Sequence, residues 1–195
     1  QKRKTFQVPI KKISNGKYKT DRISANANIG FAVDVYDNFN GAYNKNGIYS
    51  LEMLVNGKRW YYHDVETFSF SESKFLNLHI DYKHYKKYKR RYQKSYKETA
   101  NKLSIYEDLI NNGKLNVKPG NNYMVTIIAK DYAGNKSTLN IPIVGKESSA
   151  IFSKSIDSTN YKLIKNKFNK FKVGDFSVAF PKNTFYEDVY LDLAY

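Results

Sequence analysis

Three imidazoles, His63, His79 and His84, are the first candidates for metal or acid–base chemistry in this chain. Paired zinc ligands sit four residues apart on a helix face or two apart on a strand face. His79 and His84 are five apart and fit neither pattern. His79 and Asp81 can share a strand face, but two ligands leave a site open, so the histidines read as ordinary surface or sheet residues. The chain has no cysteine, which removes disulfides, thiolate metal sites and a sulfur nucleophile. Glu66, Glu72, Glu107 and Asp108 are scattered. None nominates a pair of carboxyl groups facing each other across a cleft at about 5–9.5 Å. Neither a nucleophile elbow nor a glycine-rich phosphate loop is present. The Asp- and Asn-rich run from Asp37 to Gly47 suggests calcium, but Phe39 stands where the loop pattern needs an oxygen ligand, and a polar turn is expected. The chain therefore reads as non-enzymatic, with no metal or cofactor of its own.

The segment Tyr82–Lys97 asks for a partner. It carries eight Lys or Arg residues and no acid. Lys83, Lys86, Lys87, Lys89, Arg90, Arg91 and Lys94 are interleaved with Tyr85, Tyr88 and Tyr92, and these ten residues are the candidate binding set. Cations packed this closely repel one another, and a polyanion would relieve the repulsion; tyrosine rings between them could stack on bases or sugar faces. The alternative is structural: the rings cover a sheet edge while lysine stems lie along them and the ammonium groups stay in water. No nucleic-acid-binding motif accompanies the charge, so a cell-envelope polyanion or a protein is the expected partner. The net charge of +15 points the same way, although a chain this rich in Lys, Asn, Ile and Tyr could owe much of it to AT-rich codons.

The elements that must position these groups are mostly strands. Asn15-Gly16 and Asn56-Gly57 each read as hairpin turns, the second joining Ile48–Val55 to Lys58–His63. Ile29 to Tyr36 alternates, with Ile29, Phe31, Val33 and Val35 on one face. Val65–Phe70 and Phe75–Ile80 are further strand candidates. The recurrence of Tyr82, Tyr85, Tyr88, Tyr92 and Tyr96 predicts an amphipathic helix, and Ile105–Asn111 a second one stopped by Gly113. Strands resume at Leu115–Val117, at Tyr123–Ala129 after the Pro119-Gly120 turn, and at Ser137–Val144 after the turn Asp131–Asn135. Pro142 has no N–H, so the last of these is expected at a sheet edge. Trp60, Tyr61 and Tyr62 read as half core and half surface of one strand, with a docking patch as the alternative. Lys146–Ser149 looks like a linker; Ile151–Lys172 is ambiguous; Phe176–Phe180 and Val189–Leu193 read as strands. No apolar run approaches the roughly 20 residues that span a bilayer, and the start at Gln1 suggests a mature piece or a fragment.

The order of several short segments is familiar: Phe6-Gln7-Val8-Pro9-Ile10, Asn15-Gly16-Lys17-Tyr18, Asn46-Gly47-Ile48-Tyr49-Ser50, Glu66-Thr67-Phe68-Ser69-Phe70, Ile80-Asp81-Tyr82, Asn101-Lys102-Leu103-Ser104-Ile105-Tyr106 and Ala129-Lys130-Asp131-Tyr132-Ala133-Gly134-Asn135-Lys136-Ser137. From about Lys4 to Gly145 the chain resembles the region that follows the catalytic domain in M23 (lysostaphin-like) zinc endopeptidases of the Bacteroidetes. The resemblance implies an all-β fold: an immunoglobulin-like β-sandwich over residues 1–145 with a short helical, basic excursion at about 81–112, whose helix stops near Lys89. A linker at 146–150 and part of a second β domain at 151–195 complete the expected organisation. It also implies an exported parent in the periplasm or on the outer membrane or cell surface, cutting peptidoglycan with a zinc-activated water. That family's zinc ligands, a histidine, an aspartate and an H-x-H histidine, cannot be placed here, so zinc belongs to the absent peptidase domain. The expected function is that of a non-catalytic accessory domain that positions the peptidase or binds a cell-envelope protein or peptidoglycan. The alternative is a free-standing envelope interaction module or a binder of cell-wall polymer or lipopolysaccharide.

Overall fold

The computed structural model describes residues 5–38, 45–67, 69–147 and 159–193. They fall into two compact units, one drawn from Phe6–Ser149 and one from Ala150–Tyr195. Strands dominate both, and the helical pieces are short.

In the first unit the strands are β1 (Lys11–Ser14), β2 (Lys17–Lys19), β3 (Ile23–Ala25), β4 (Ala27–Ile29), β5 (Ala32–Asp34), β6 (Asp37–Asn38), β7 (Lys45–Asn46), β8 (Ser50–Val55) and β9 (Lys58–Asp64). A 3-10 turn (Phe70–Phe75), α1 (Leu76–His79) and α2 (Tyr82–Tyr88) follow. Then come β10 (Tyr92–Lys94), β11 (Tyr106–Glu107), a 3-10 turn (Asn111–Gly113), β12 (Leu115–Val117), β13 (Asn122–Lys130) and β14 (Lys136–Gly145). The large sheet runs β1-β2-β14-β13-β8-β9-β11, with β3 also paired to β14. Alternation along its long strands sends Leu51, Met53, Val55, Tyr61, Val125, Ile127, Leu139, Ile141 and Ile143 to one buried face. That face is covered by the pair β4–β12, which adds Leu115, Val117 and Ile29, and by Phe31, Val33 and Val35 around the pair β5–β10.

The turn chemistry explains the hairpins. Asn56 and Gly57 both have positive φ, 49° and 80°, the geometry of the turn that matches strand twist. The run Ile29–Tyr36 keeps its alternating burial but is cut into β4 and β5 at Gly30. A side chain there would meet the Tyr96 ring, whose Cδ1 lies 2.5 Å from an ideal Cβ.

Several expectations are corrected. Residues 65–67 and 69–70 form no strand: Ser69 caps a 3-10 turn by accepting from the Ser71 N–H, and Phe70 is 91% exposed. Phe68 lies outside the described residues. Phe75–Ile80 is not a strand either; Phe75, Leu78 and His79 face inward at helical spacing and α1 results. The tyrosine periodicity does not carry on to Tyr96: α2 ends at Tyr88 with Lys89 left-handed at φ 59°, the stop near Lys89 that the resemblance implied, and Tyr92 falls on β10. No helix spans 105–111: Tyr106 and Glu107 pair with His63 and Tyr62 of β9, and Asp108, Asn111 and Asn112 take positive φ. Gly113 is left-handed as expected, but it closes a 3-10 turn. Finally, β14 is not an edge. Thr138 and Lys146 donate toward β2 and β3, so by the period of two the missing N–H of Pro142 faces the same side. There β2 has ended at Lys19 and β3 has not begun until Ile23. Proline is tolerated at this break in the neighbouring strand.

Of the polar loop between β6 and β7, residues 39–44 lie outside the described residues, as do 148–150 of the expected linker and 151–158 of the ambiguous stretch. The second unit has β15 (Tyr161–Leu163) paired with β18 (Val189–Leu191), and β16 (Asn169–Val173) paired with β17 (Phe176–Phe180). Its rings form a chain of edge and tilted contacts: Tyr161 on Phe171 at 5.8 Å, Phe171 on Phe180 at 6.3 Å, and Phe180 on Phe185 at 5.6 Å.

Candidate functional site

The basic segment is folded into a knuckle. Asp81 opens α2 by accepting the His84 N–H at 3.1 Å, which satisfies one of the free donors of the first turn. Lys89 closes it, donating its N–H to Tyr85 O at 2.8 Å. The chain then reverses through Arg90 and Arg91 into β10, which pairs with β5. This geometry leaves six cations exposed together: Lys83, Lys86, Lys87, Lys89, Arg90 and Arg91. Tyr88 is exposed among them, and Tyr85 and Tyr92 are half-buried. His84 is held between aromatic neighbours, 4.6 Å from Tyr88 and 4.8 Å from Tyr92 between ring centres. Arg91 and Lys89 lie over the Tyr85 ring at 5.3 and 5.8 Å, and Lys87 lies over Tyr88 at 5.0 Å. A hydrogen bond from Arg91 and the charge of that group hold the Tyr85 phenol below its usual pKa, with Lys89 and Lys86 adding to it. Among the described residues of this surface Arg90 pairs with Asp34 at 4.0 Å, a long, exposed contact of small worth.

Lys94 does not join the exposed set. Its side chain is 11% exposed and turned inward, where the ammonium donates to Leu78 O and to Glu98 Oε1, both at 3.2 Å. It belongs to a buried polar network behind the knuckle.

That network holds two of the histidines, which are therefore not surface residues. His63 is fully buried on β9 and His79 is buried at the end of α1, their rings perpendicular and 4.6 Å apart. The Tyr61 hydroxyl donates to Lys94 O at 3.0 Å and stands 2.9 Å from His63 Nδ1. With its one proton so used, it accepts from Nδ1–H of His63, and His63 Nε2 is left without a hydrogen-bond partner. Tyr106 accepts from Asn101 Nδ2 at 2.7 Å and meets His79 Nδ1 at 2.9 Å. Burial first, and the nearby His79 second, push the His63 pKa well below its usual value. Burial, with Lys94 beside it, brings His79 down to about 4. Both rings are neutral in the fold. They clip α1, β10 and β11 to the end of β9. The signal in the sequence was phase: His63 follows Tyr61 by two on an alternating strand, so both face inward.

Among the described residues no group of three or more His, Cys, Asp or Glu side chains is gathered to hold a metal, and no helix is long and apolar enough to cross a membrane. Of the three neighbouring aromatics, Tyr61 is buried, while Trp60 and Tyr62 are half-buried. No protein-family model, no curated protein and no solved structure matches the chain.

Proposed function

We propose that this chain is a non-catalytic binding module of an exported cell-envelope protein, an immunoglobulin-like sandwich accessory to an M23-type endopeptidase, and that its working surface is the basic knuckle. The partner is a phosphate-bearing envelope polymer. The observation that carries the reading is the clustering of six exposed cations around Tyr85, Tyr88 and Tyr92 on a short helix and turn. Such a cluster concentrates positive potential and draws in polyanions, and the rings offer faces to sugars between the phosphates. The histidines support the non-catalytic part of the reading, because two of them are consumed inside the fold.

The test uses the whole chain with two probes in separate arms, lipopolysaccharide micelles and a phosphodiester-linked wall polymer. The combined variant Lys86→Gln, Lys87→Gln, Lys89→Gln, Arg90→Gln and Arg91→Gln is expected to lose binding to at least one of them. Equal binding by the variant in both arms sinks the reading. In parallel, peptidoglycan is incubated with the chain and added zinc; release of fragments that a chelator abolishes would show that the chain is an enzyme.

A further inference from the structure

At the opposite end of β9 from His63, a bulge shapes a second surface feature. The pairing of β8 with β9 slips by one residue, Met53 opposite Tyr61 and Leu54 opposite Arg59, so that Trp60 is the extra residue of a bulge. Bulges re-aim side chains, and Trp60 here packs on the core while lining a groove of about 490 Å³ with Val55 and Leu115. That volume lies within the span of about 300–1,000 Å³ usual for small-ligand sites. The indole N–H is committed to Lys114 O at 3.2 Å, so what the groove receives from Trp60 is an apolar ring.

The rim has the opposite character. Lys58, Lys118, Asn116 and Asn121 line it and are exposed. No carboxylate lines the groove among the described residues, and neither ammonium has an ion-pair partner there. Tyr123 also lines it, and its hydroxyl accepts from the Lys118 N–H at 3.1 Å and from Asn121 Nδ2 at 3.4 Å. With its acceptor capacity so used, the Tyr123 hydroxyl has its own proton left to donate. The result is a small aromatic floor ringed by two cations, side-chain amides and a phenolic donor.

We propose that this groove is a binding site for an anionic saccharide, with a pyranose ring lying against Trp60 and its carboxylate held between Lys58 and Lys118. A sugar ring has slightly positive C–H edges that suit the negative face of an aromatic ring, and its hydroxyls suit the amides. A purely apolar ligand would strand the rim's polar groups, and a neutral sugar would leave two like charges uncompensated. The site is distinct from the knuckle and stands on its own observations.

Trp60 is the only tryptophan, so its fluorescence reports occupancy directly. The full chain is titrated with trigalacturonate and, separately, with uncharged maltotriose. A saturable change with the acidic trisaccharide, and at least tenfold weaker binding of the neutral one, is expected. The variant Lys58→Ala with Lys118→Ala should raise the Kd for trigalacturonate at least tenfold; Asn116→Ala should raise it by a smaller factor. The knuckle variant should leave it unchanged. No saturable response to trigalacturonate, equal binding of both sugars, or a loss that follows the knuckle variant in place of the Lys58 and Lys118 variant would overturn the assignment.

Discussion

Acid should weaken the first unit through its histidine pair. In the fold His79 is neutral down to about pH 4, whereas in the unfolded chain it takes a proton near its ordinary value of about 6.5. Above that value neither state is protonated and pH has no leverage. Between about 6.5 and 4 the unfolded state holds the extra proton, so stability falls with falling pH, and it stops falling through this group below about 4. One pKa unit is worth about 1.4 kcal/mol, so the His79 shift amounts to roughly 3 kcal/mol over that window. His63, lowered in the same direction, adds to the loss. This is a large share of the 5–15 kcal/mol or so that typical domains possess. Urea unfolding followed by Trp60 fluorescence at a series of pH values measures it. The His79→Gln variant separates the cause: it should be less stable at pH 7, because Tyr106 loses one of its two hydrogen-bond partners and keeps only Asn101, yet show a distinctly shallower decline between pH 6.5 and 4. Identical declines in parent and variant would refute the argument.

The remaining predictions concern single positions. A Cβ at Gly145 would lie 1.9 Å from Lys118 O, so Gly145→Ala forces β14 away from the turn before β13; its thermal midpoint should drop by several degrees, and an unchanged midpoint would contradict the close approach. Gly113→Ala combines a φ of 78° with a Cβ 2.5 Å from Ser95 O; positive φ alone costs on the order of 1–3 kcal/mol, and denaturant unfolding should show at least that. Asn56→Ala removes the acceptor of the Met124 N–H, a 2.8 Å bond, at a position of positive φ; a loss of about 1–2 kcal/mol is expected in the same assay. The knuckle variant should change the denaturant midpoint little, since its five replaced side chains are exposed; a loss above about 1 kcal/mol would mean that the cations support the fold.

The sequence made the long strands and their turns readable because two strong local signals coincided there. Asn56-Gly57 set the turn, and the inward phase of Leu51, Met53 and Val55 set the face. The stretch from 65 to 113 was misread where short apolar runs carry no decisive period. Phe75, Leu78 and His79 are a helical face only one turn long, and Tyr106 joins the sheet through two residues placed by long-range pairing with β9. Pro142 was misplaced for a related reason: a proline fixes which N–H is missing, but the break in the neighbouring strand that makes it harmless is visible only in three dimensions. At the candidate site, the exposure of Lys83, Lys86 and Lys87 followed from the tyrosine-spaced helix, whereas Lys89, Arg90 and Arg91 lie past its end, in the cap and the turn into β10. Lys94 and the two buried histidines did not, because their partners Leu78, Glu98, Tyr61 and Tyr106 come from four separate segments. The groove at Trp60 depended on a bulge, which no residue type in β9 announces.

The direct test of the proposed role is the affinity for lipopolysaccharide and wall polymer measured against salt. By the counterion-release relation worked out for nucleic acids, each lost cation contact should lower the log–log slope by roughly 0.7–0.9. The parent chain is predicted to bind with a steep slope that the five-fold knuckle variant largely removes. A slope and affinity that are the same in both proteins would contradict the account.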